Sequence, residues 1–332
     1  MFFVFFVVSL HINIKQKNIM RRVIGIGETV LDIIFKGEQP LQAVPGGSAF
    51  NAIISLGRAG VPTYFISETG NDRVGQWVKR FLRENGVDDS GVCVFPDSKT
   101  PLSLAFLDEQ NNAEYLFYKD HPHDQLDFTY PEVNESDVVV FGSFFAINPV
   151  VRPQVAAFLD YAHRQGAILY YDLNYRASHK NDLMRVTPSI IENLELADIV
   201  RGSDEDFQIM YRKDNADAVY RSEISFYTKK FIYTRGAQPV EVRAEGGFAK
   251  QYPIYTLEGQ VMSTIGAGDN FNAGLVYGLI KNGITRTMIE QGLTEQQWDN
   301  LIGCGLRFSA NVCKSLHNYI DPDFGQQMKA AL

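Results

Sequence analysis

The sequence predicts an α/β fold in which a parallel sheet lies between two layers of helices, with a second, smaller sheet beside it. Two observations predict this fold. After Pro131 the chain alternates short apolar strands with helices, beginning with a strand at 137–141 and a helix at 149–165. Such units form a parallel sheet that is covered on both faces. Before that point, residues 100–118 alternate apolar and polar residues around a polar turn, a pattern typical of a hairpin.

The composition describes a globular protein with an acidic balance of charge. The 332 residues are 45% hydrophobic and 21% charged, and the formal net charge is -8. A chain of this length and composition can bury a large core. The acidic balance argues against a nucleic-acid binder, which needs a basic surface. Cys93, Cys304 and Cys313 form no C-x-x-C pair, so we expect neither a disulfide framework nor a structural zinc site, and we expect a cytoplasmic protein.

The first nineteen residues differ from the rest of the chain. Residues 2–10 are almost wholly apolar, but no basic segment precedes them and no small-residue cleavage site follows. A signal peptide is therefore the weaker interpretation, and the segment is too short to span a bilayer, which takes ~20 residues. We expect residues 1–19 to be an extension outside the fold, translation to begin at Met20, and the folded domain to cover 20–325.

Polar residues and glycines follow the predicted strands at the points where the strands end. The other strands and helices that the pattern predicts are 23–27, 29–35, 49–58, 64–67, 74–85, 167–171, 197–200 and 231–234. The residues that follow strands are Gly142, Ser143, Asp172, Asn174, Arg176, Ser203, Asp206, Arg235 and Gly236. Because ligands of an open α/β sheet bind outside the carboxyl ends of its strands, we expect the functional site along this edge.

The segment STIGAGDNF, from Ser263 to Phe271, carries the strongest indication of chemistry. Gly266 and Gly268 let backbone N–H groups point into one concavity, and the helix that begins there adds the positive end of its dipole, so the segment can bind an anion. Asp269 lies in the first helical turn, beside those amides. A base next to an anion site is what transfer of a phosphoryl group to an alcohol requires. A tight turn in which Asp269 only caps the helix is the alternative.

A second glycine-rich segment begins at Gly46 and Gly47 and runs into a predicted helix. The two glycines allow the backbone to approach a ligand closely. Asn51 projects from the first helical turn, where its amide can both donate to and accept from the hydroxyls of a sugar. An ordinary loop capped by Ser48 is the alternative.

A third glycine pair, Gly25-x-Gly27, follows a predicted strand and invites comparison with the dinucleotide-binding fold. Val30 stands where the third glycine of that fingerprint belongs, and no helix clearly follows. A dinucleotide-dependent oxidoreductase is therefore the weaker interpretation.

Together these residues resemble the PfkB carbohydrate kinases, which include ribokinase, fructokinase and adenosine kinase. The resemblance covers residues 22–310. Its most specific parts are GGSAFNAIISLGRAG, from Gly46, and STIGAGDNFNAG, from Ser263. The second part matches the D-T-x-G-A-G-D pattern of the family at six of seven positions. The resemblance implies a three-layer, parallel-sheet, ribokinase-like fold with a small β-sheet lid, built from segments at about 33–45 and 95–125.

The resemblance also implies roles for individual residues. Asp269 resembles the catalytic base, and the backbone of Gly266, Ala267 and Gly268 resembles the anion hole. The residues that resemble the sugar site are Asp32, Gly46, Gly47, Asn51 and Arg176. The residues that resemble the nucleotide site are Asn174, Thr234, Gly236 and Thr264. Asp172-Leu173-Asn174-Tyr175-Arg176 resembles the D-P-N-x-R segment that lies near the phosphates.

The implied cofactors are ATP and Mg²⁺, and two departures from the family bear on the metals. Ser263 stands where the motif usually has Asp, which leaves a monovalent-cation site open. Ser203-x-x-Asp206 replaces the usual N-x-x-E that helps arrange Mg²⁺, so Asp206 is the candidate metal ligand, with a side chain one methylene shorter than Glu.

The implied reaction is transfer of the ATP γ-phosphate to a sugar hydroxyl by a homodimer that pairs through its lids. The stretch from Thr100 to Lys119 most resembles fructokinase-type sequences, so we expect fructose or a related ketose. A kinase for 2-keto-3-deoxygluconate, ribose or a nucleoside is the alternative, and a catalytically silent sugar- or nucleotide-binding regulator is a further one. We expect neither a nucleic-acid nor a membrane partner.

Overall fold

The structure is a computed structural model that describes residues 21–109, 113–120, 126, 128–256 and 261–332. The predicted extension at 1–19 and parts of the second predicted lid segment lie outside these residues. Within the described ranges, no helix combines the length and the apolar character that crossing a membrane requires.

The described strands form a large sheet of ten strands and a small sheet of four. In chain order they are β1 (Val23–Ile26), β2 (Val30–Lys36), β3 (Gln39–Gly46), β4 (Thr63–Gly70), β5 (Val87–Asp88), β6 (Val92–Phe95), β7 (Lys99–Leu107), β8 (Ala113–Asp120), β9 (Val138–Gly142), β10 (Ile168–Asp172), β11 (Ile199–Ser203), β12 (Phe231–Thr234), β13 (Val240–Arg243) and β14 (Ala249–Tyr252). The large sheet has the order β14-β13-β12-β11-β10-β9-β1-β4-β5, and β6 also pairs with β4.

Helices cover both faces of the large sheet. They are α1 (Ser48–Arg58), α2 (Arg73–Glu84), α3 (Arg152–Arg164), α4 (Leu183–Leu196), α5 (Asp204–Tyr211), α6 (Ala216–Val219), α7 (Ala267–Lys281), α8 (Arg286–Gln291), α9 (Glu295–Val312) and α10 (Pro322–Ala330). Successive strand residues point to opposite faces, so Val23 packs in the core under α1, α2 and α7–α10, whereas Ile24 packs in the core under α3–α6. The predicted three-layer arrangement is therefore confirmed.

The small sheet has the order β3-β2-β7-β8, with β2 parallel to β7 and the two outer pairs antiparallel. It encloses a core of its own, in which Ile34, Val44 and Ala105 pack against Ile265 at the beginning of the α7 segment. The predicted hairpin at 100–118 corresponds to β7 and β8. The small sheet thus lies over the edge of the large sheet where α7 begins.

Two features of the structure differ from the sequence expectations. The helix expected from residue 149 begins at Arg152, and a short 3-10 helix, Phe144–Ile147, precedes it. The hairpin of β13 and β14, which pairs antiparallel with β12 at the sheet edge, was not predicted. As expected, no helix follows Gly27: the chain enters β2 of the small sheet, which excludes the dinucleotide-binding arrangement.

Candidate active site

A cavity of about 600 Å³ lies between the small sheet and the carboxyl ends of the central strands. Loops after β1, β9 and β10 line it, together with the first turns of α1 and α7 and parts of β2 and β8. Five of the polar residues and glycines expected along this edge are among the lining residues: Gly142, Ser143, Asp172, Asn174 and Arg176.

Asp269 is buried in the first turn of α7, and both of its carboxylate oxygens accept hydrogen bonds from α1. Ser48 Oγ donates to Oδ1 over 2.7 Å, and Asn51 Nδ2 donates to Oδ2 over 2.8 Å. Burial raises the pKa of Asp269, while the two hydrogen bonds and the charge of Arg176 act against that rise. The arrangement holds one carboxylate in a fixed orientation at the wall of the cavity.

The loop before α1 needs glycine at both positions that the sequence singled out. Gly47 has φ 123° and ψ 144°, a conformation almost restricted to glycine. A Cβ at this position would lie 2.2 Å from the carbonyl oxygen of Glu28, and a Cβ at Gly46 would lie 2.1 Å from Oδ2 of Asp32. The loop therefore packs directly against Asp32 of β2 and against Glu28 in the loop after β1.

The turn before α7 is also closely packed. Gly266 caps the helix with φ 74°, in the left-handed region that favours glycine. The amide of Ala267 already donates to the Thr264 carbonyl over 3.2 Å, so an anion would compete with this turn for that N–H group. A Cβ at Gly268 would lie 3.1 Å from the guanidinium of Arg201, which packs beneath the helix start.

Asp32 projects from β2 on the side of the cavity covered by the small sheet. Its side chain is buried, and its Oδ2 accepts a hydrogen bond from Nδ2 of Asn318 over 2.7 Å. Burial raises the pKa of Asp32 to about 7. The charges of Asp269 and Glu28 act in the same direction.

The segment after β10 combines an ion pair with a strained backbone. Asp172 Oδ1 lies 3.0 Å from Arg201, and Asp172 Oδ2 accepts from Asn272 Nδ2 over 2.8 Å. Asn174 has φ 40° and Ser143 has φ 53°, both uncommon for residues other than glycine. The side-chain Nδ2 of Asn174 donates to the hydroxyl of Ser143 over 2.8 Å, which joins the two residues across neighbouring strand ends. Strain of this kind is typical of ligand sites.

The predicted nucleotide residues are less enclosed. Thr234 ends β12, and its hydroxyl accepts from Arg201 over 2.5 Å. Gly236 has φ 46° and has open space where a side chain would lie, and Thr264 is exposed. Of the four predicted nucleotide residues, only Asn174 lines the cavity. The other three lie along or beside the same sheet edge, outside the cavity itself.

Residues 20–294 match the model of the pfkB family of carbohydrate kinases. The chain belongs to this family. It is 29% identical over 251 residues to 5-dehydro-2-deoxygluconokinase of Geobacillus kaustophilus, a match that covers 71% of this chain and 73% of that protein. It is 27% identical over 273 residues to fructokinase-1 of Oryza sativa subsp. japonica, covering 78% and 83%.

Solved structures show the same fold at lower identity. A fructokinase double mutant from Vibrio cholerae, bound to fructose, ADP and potassium, has a TM-score of 0.78 at 20% identity and covers 90% of this chain and 94% of its own. Aminoimidazole riboside kinase from Salmonella enterica has a TM-score of 0.75 at 20% identity, covering 93% and 99%. The predicted ribokinase-like fold and the predicted membership of the sugar kinases are both confirmed.

Asp206, the predicted metal ligand of this kinase, lies outside the residues that line the cavity. It forms a capping box at the beginning of α5, where its Oδ2 accepts from the amide and hydroxyl of Ser203 over 2.6 and 2.8 Å. Its Oδ1 accepts from the amide of Tyr175 over 2.7 Å. The neighbouring Glu205 lines the cavity instead. Asp206 would have to exchange these hydrogen bonds before it could bind a metal directly.

Several residues of the kinase site lay outside the sequence predictions. They are Ser48, identified only as a possible cap, and Glu28, Lys119, Arg201, Glu205, Asn272 and Asn318. An ion pair joins Lys119 of β8 to Glu28 of the loop after β1, so the small sheet is tied to the large one across the cavity. Most of these residues belong to no short motif, and only their position in the fold brings them to the site.

Proposed function

We propose that the chain is an ATP-dependent kinase that transfers the γ-phosphate of ATP to a hydroxyl of fructose or a related ketose. The observation that carries this proposal is the buried Asp269 carboxylate, held by Ser48 and Asn51 at the N-terminus of α7. Asp269 is the proposed base. Its raised pKa suits a group that accepts a proton from an alcohol near neutral pH.

The proposed acceptor site uses the side chains around Asp269. Asn51 donates to Asp269, while its Oδ1 is buried and has no hydrogen-bonding partner among the described residues. That oxygen is available to a sugar hydroxyl. Asp32 offers a second acceptor, and Gly46 and Gly47 let the loop before α1 pack against Asp32 and against the Glu28 carbonyl, with Gly47 also lining the cavity. Arg176, which is exposed at the cavity wall, is proposed to contact the polar side of the sugar.

The proposed phosphate site is the N-terminus of α7. The backbone of Gly266, Ala267 and Gly268 would supply N–H donors to the charge that develops during transfer, aided by the helix dipole. The nucleotide would extend from there along the strand edge past Asn174 and Thr264 towards Thr234 and Gly236. The fructokinase double mutant of Vibrio cholerae, which has the same fold, binds ADP, and this supports a nucleotide site in this fold.

Mg²⁺ fits the donor chemistry of this edge. Within the described part of the chain no cluster of three metal-binding side chains exists, but Mg²⁺ in kinases is held by one or two carboxylates together with substrate phosphates. Glu205 and Asp172 supply carboxylate oxygens at the cavity. We propose Glu205, ahead of Asp206, as the residue that would hold the ion. The bound ion would neutralise charge on the β- and γ-phosphate oxygens.

The residue at position 263 bears on whether the enzyme uses a monovalent cation. Ser263, where the family usually has Asp, is buried, and its hydroxyl accepts from the amide of Ile265 over 3.1 Å. The carboxylate is therefore missing from this position, whereas a fructokinase with the same fold binds potassium. Because Ser263 supplies no carboxylate, we expect ADP release that does not change when potassium is titrated into the assay.

The charge of the cavity favours a neutral sugar over a sugar acid. Six carboxylates line it, namely Glu28, Asp32, Glu114, Asp172, Glu205 and Asp269, and the cations are Lys119 and Arg176. Lys119 is paired with Glu28. Burial lowers the pKa of His179 to about 4, so that residue is neutral at pH 7. A carboxylate substrate such as 5-dehydro-2-deoxygluconate would therefore meet an acidic cavity with one uncommitted cation among its lining residues.

The experiment is a coupled ADP-release screen over fructose, ribose, nucleosides and 2-keto-3-deoxygluconate at matched concentrations. Fructose or another neutral ketose is expected to give the highest kcat/KM. A keto-deoxy acid that exceeded all neutral sugars would overturn the assignment of substrate class. No sugar-dependent ADP release from any of them would overturn the proposed activity.

The outer face of the small sheet supports the proposed homodimer. Alternation along β8 places Leu116 and Tyr118 on the face away from Tyr115, and they are 48% and 59% exposed. Across the sheet they pair with Leu104 and Leu102. A second copy of the same apolar face would cover these side chains, since a small sheet buries little apolar surface by itself.

Light scattering tests the homodimer. Leu116→Glu is expected to give a monomer, whereas Phe226→Glu, a control at a residue 75% exposed outside the small sheet, is expected to remain a dimer. A wild-type monomer at assay concentration would contradict the proposal. The proposed compartment is the cytosol, consistent with the three free thiols.

A further inference from the structure

Asn318 is a fully buried asparagine in the loop between α9 and α10, outside every motif of the sequence. Its side-chain Nδ2 donates to Oδ2 of Asp32 over 2.7 Å. The Oδ1 of the same amide is buried without a hydrogen-bonding partner among the described residues. Burying an unpaired polar atom costs stability, so the side chain needs an explanation beyond packing, and its bond to Asp32 supplies one.

The backbone of Asn318 supports the beginning of α7. Its carbonyl accepts from Nδ2 of Asn270 over 2.8 Å, and the same Nδ2 donates to the carbonyl of Gly266 over 2.8 Å. A Cβ at Gly266 would lie 2.6 Å from the Asn318 carbonyl oxygen. One residue therefore contacts the start of the helix that carries Asp269 and also the carboxylate of Asp32.

The loop that carries Asn318 is fixed on both sides. The hydroxyl of Tyr319 donates to the carbonyl of Pro45 over 3.1 Å, and the amide of Ile320 donates to the hydroxyl of Ser55 over 3.1 Å. A Cβ at Gly46 would lie 3.2 Å from Nδ2 of Asn318. Asn318 thus cannot move away from Asp32 without disturbing the glycine loop and α1.

The groups around Asp32 give the hydrogen bond chemical importance. Asp269 of α7 and Glu28 of the loop after β1 carry like charge, while Tyr115 of β8 and Tyr319 of the Asn318 loop are neutral and interact electrostatically with it. These surroundings and burial disfavour the carboxylate form. A hydrogen-bond donor favours it. Two side chains act in this way, namely the Ser103 hydroxyl of β7 in the small sheet and the Asn318 amide, which comes from outside that sheet.

We propose that Asn318 is a positioning residue of the acceptor site, which fixes the Asp32 carboxylate in the orientation that accepts a sugar hydroxyl and ties it to the beginning of α7. This inference rests on the proposed kinase function. Through Asn318, the residue that holds the sugar and the helix that carries the base keep a constant separation. The reacting hydroxyl is then held in line with Asp269.

The first test compares Asn318→Leu, which keeps similar volume but has no donor, with Tyr319→Phe, which removes a neighbouring loop anchor but no hydrogen bond to Asp32. Asn318→Leu is expected to raise the sugar KM about five- to tenfold at pH 7 while kcat and the ATP KM change less than about twofold. Tyr319→Phe is expected to leave the sugar KM within about twofold. Equal effects of the two variants would reduce Asn318 to loop packing and overturn the proposal.

The pH profile is the second readout. The wild-type sugar KM is expected to rise as pH falls through about 7, because Asp32 becomes protonated and stops accepting. Loss of the donor raises the pKa of Asp32, so in Asn318→Leu the midpoint is expected to move up by about one pH unit. A midpoint that stayed in place would overturn the proposal.

A second variant covers the case in which Asn318→Leu does not fold. Asn318→Asp keeps the shape and places another carboxyl beside Asp32, so the pair holds one proton at low pH and repels at high pH. The sugar KM of this variant is expected to rise between pH 6 and pH 8, the reverse of the wild-type trend. A trend in the wild-type direction would overturn the proposal.

A measurement without turnover separates this inference from the proposed function. Carboxyl carbon NMR of ligand-free protein, with Asp32 assigned through Asp32→Asn, gives the pKa of Asp32 directly. It is expected to be higher in whichever Asn318 variant folds, even if the wild type phosphorylated none of the sugars screened. An unchanged value would defeat the role of Asn318 alone, and absence of sugar-dependent ADP release would defeat the kinase proposal alone.

Discussion

The proposed acceptor side and the proposed nucleotide side of this site are built differently. On the acceptor side, Asp32, Asn51 and Asp269 are buried and hydrogen-bonded to residues more than two hundred positions away in the chain. On the nucleotide side, Gly236 has open space around it and Thr264 is exposed. The first is fixed by hydrogen bonds within the protein, while the second offers mainly backbone and open space.

The difference indicates how specificity and rate divide between the two sides. A preformed acceptor site fixes the reacting hydroxyl without a further loss of conformational entropy, which favours catalysis. An open nucleotide edge suits a ligand whose phosphates bring their own charge and metal. Substitutions on the acceptor side should therefore affect rate and sugar binding strongly, and those on the nucleotide side should affect ATP binding more mildly.

The largest effect is expected for Asp269→Asn, which keeps the shape of the side chain but removes the base. The kcat should fall by about 10²–10⁴, the usual contribution of a general base. Sugar binding measured by calorimetry should persist. Asp323→Asn, at an exposed carboxylate in the first turn of α10, is the control and should retain full activity. An Asp269→Asn enzyme within threefold of wild type would show that the base lies elsewhere.

A pair of glycine substitutions compares the two sides directly. Gly47→Ala meets an unfavourable backbone conformation, which costs about 1–3 kcal/mol, and a contact with the Glu28 carbonyl. It should lower both stability and sugar affinity. Gly236→Ala meets open space and only a left-handed φ, which costs about 1–2 kcal/mol. Its effect on activity should be confined to the ATP KM. If the two variants behaved alike in thermal unfolding and sugar KM, the contrast between the sides would fail.

Asp32→Asn is expected to change stability in the opposite direction from the glycine substitutions. Because the pKa of Asp32 in the folded protein is raised to about 7, above its value of 3.8 when exposed, its contribution to stability is present below pH 4 and is lost as pH rises to 7. Asparagine does not ionise, so the variant does not lose this stability as pH rises. The variant should gain on the order of 4 kcal/mol at most at pH 8, and little at pH 4.

Chemical denaturation at pH 4 and pH 8 tests this expectation, with Asp323→Asn as a control at an exposed carboxylate. Asp32→Asn should also bind the sugar more weakly, since its side chain offers one acceptor oxygen fewer. A stability difference that did not grow with pH would show that Asp32 is not destabilised by burial.

The acceptor side could be predicted from sequence only where its residues lie in short motifs. Gly47, Asn51, Gly266 and Asp269 stand in two glycine-rich segments, and the structure brings all four to one cavity. Asn318 could not be found in this way, because it lies in a loop with no periodic pattern, and its role arises from contacts with two distant segments. Glu205 and Asp206 show a further limit of sequence-based prediction. They are neighbours in the chain, yet Glu205 lines the cavity and Asp206 caps α5.

The fold could be predicted further than the site because apolar periodicity reports burial directly. The strands at 137–141 and 167–171 were placed within a residue or so of β9 and β10. The antiparallel hairpin of β13 and β14 escaped prediction because each strand has only four residues and β14 shows no alternation of apolar and polar residues. Arg243 of β13 also forms ion pairs with Glu241 and Asp217, and such pairs are not visible as a local pattern.

The smallest effect is expected for removal of residues 1–19, which we predict to belong to neither side of the site. The described fold begins with Arg21, whose Nε donates to the Ser136 carbonyl over 2.6 Å, and with Arg22, whose amide donates to Asp137 over 2.9 Å. A protein that begins at Met20 keeps both contacts, so its melting temperature, kcat and both KM values should equal those of the full chain. A protein that begins at Gly25 loses two fully buried residues of β1 and should not fold. If the Met20 protein lost sugar affinity or stability, the extension would have to contact the kinase domain, and the acceptor side would be the first place to look.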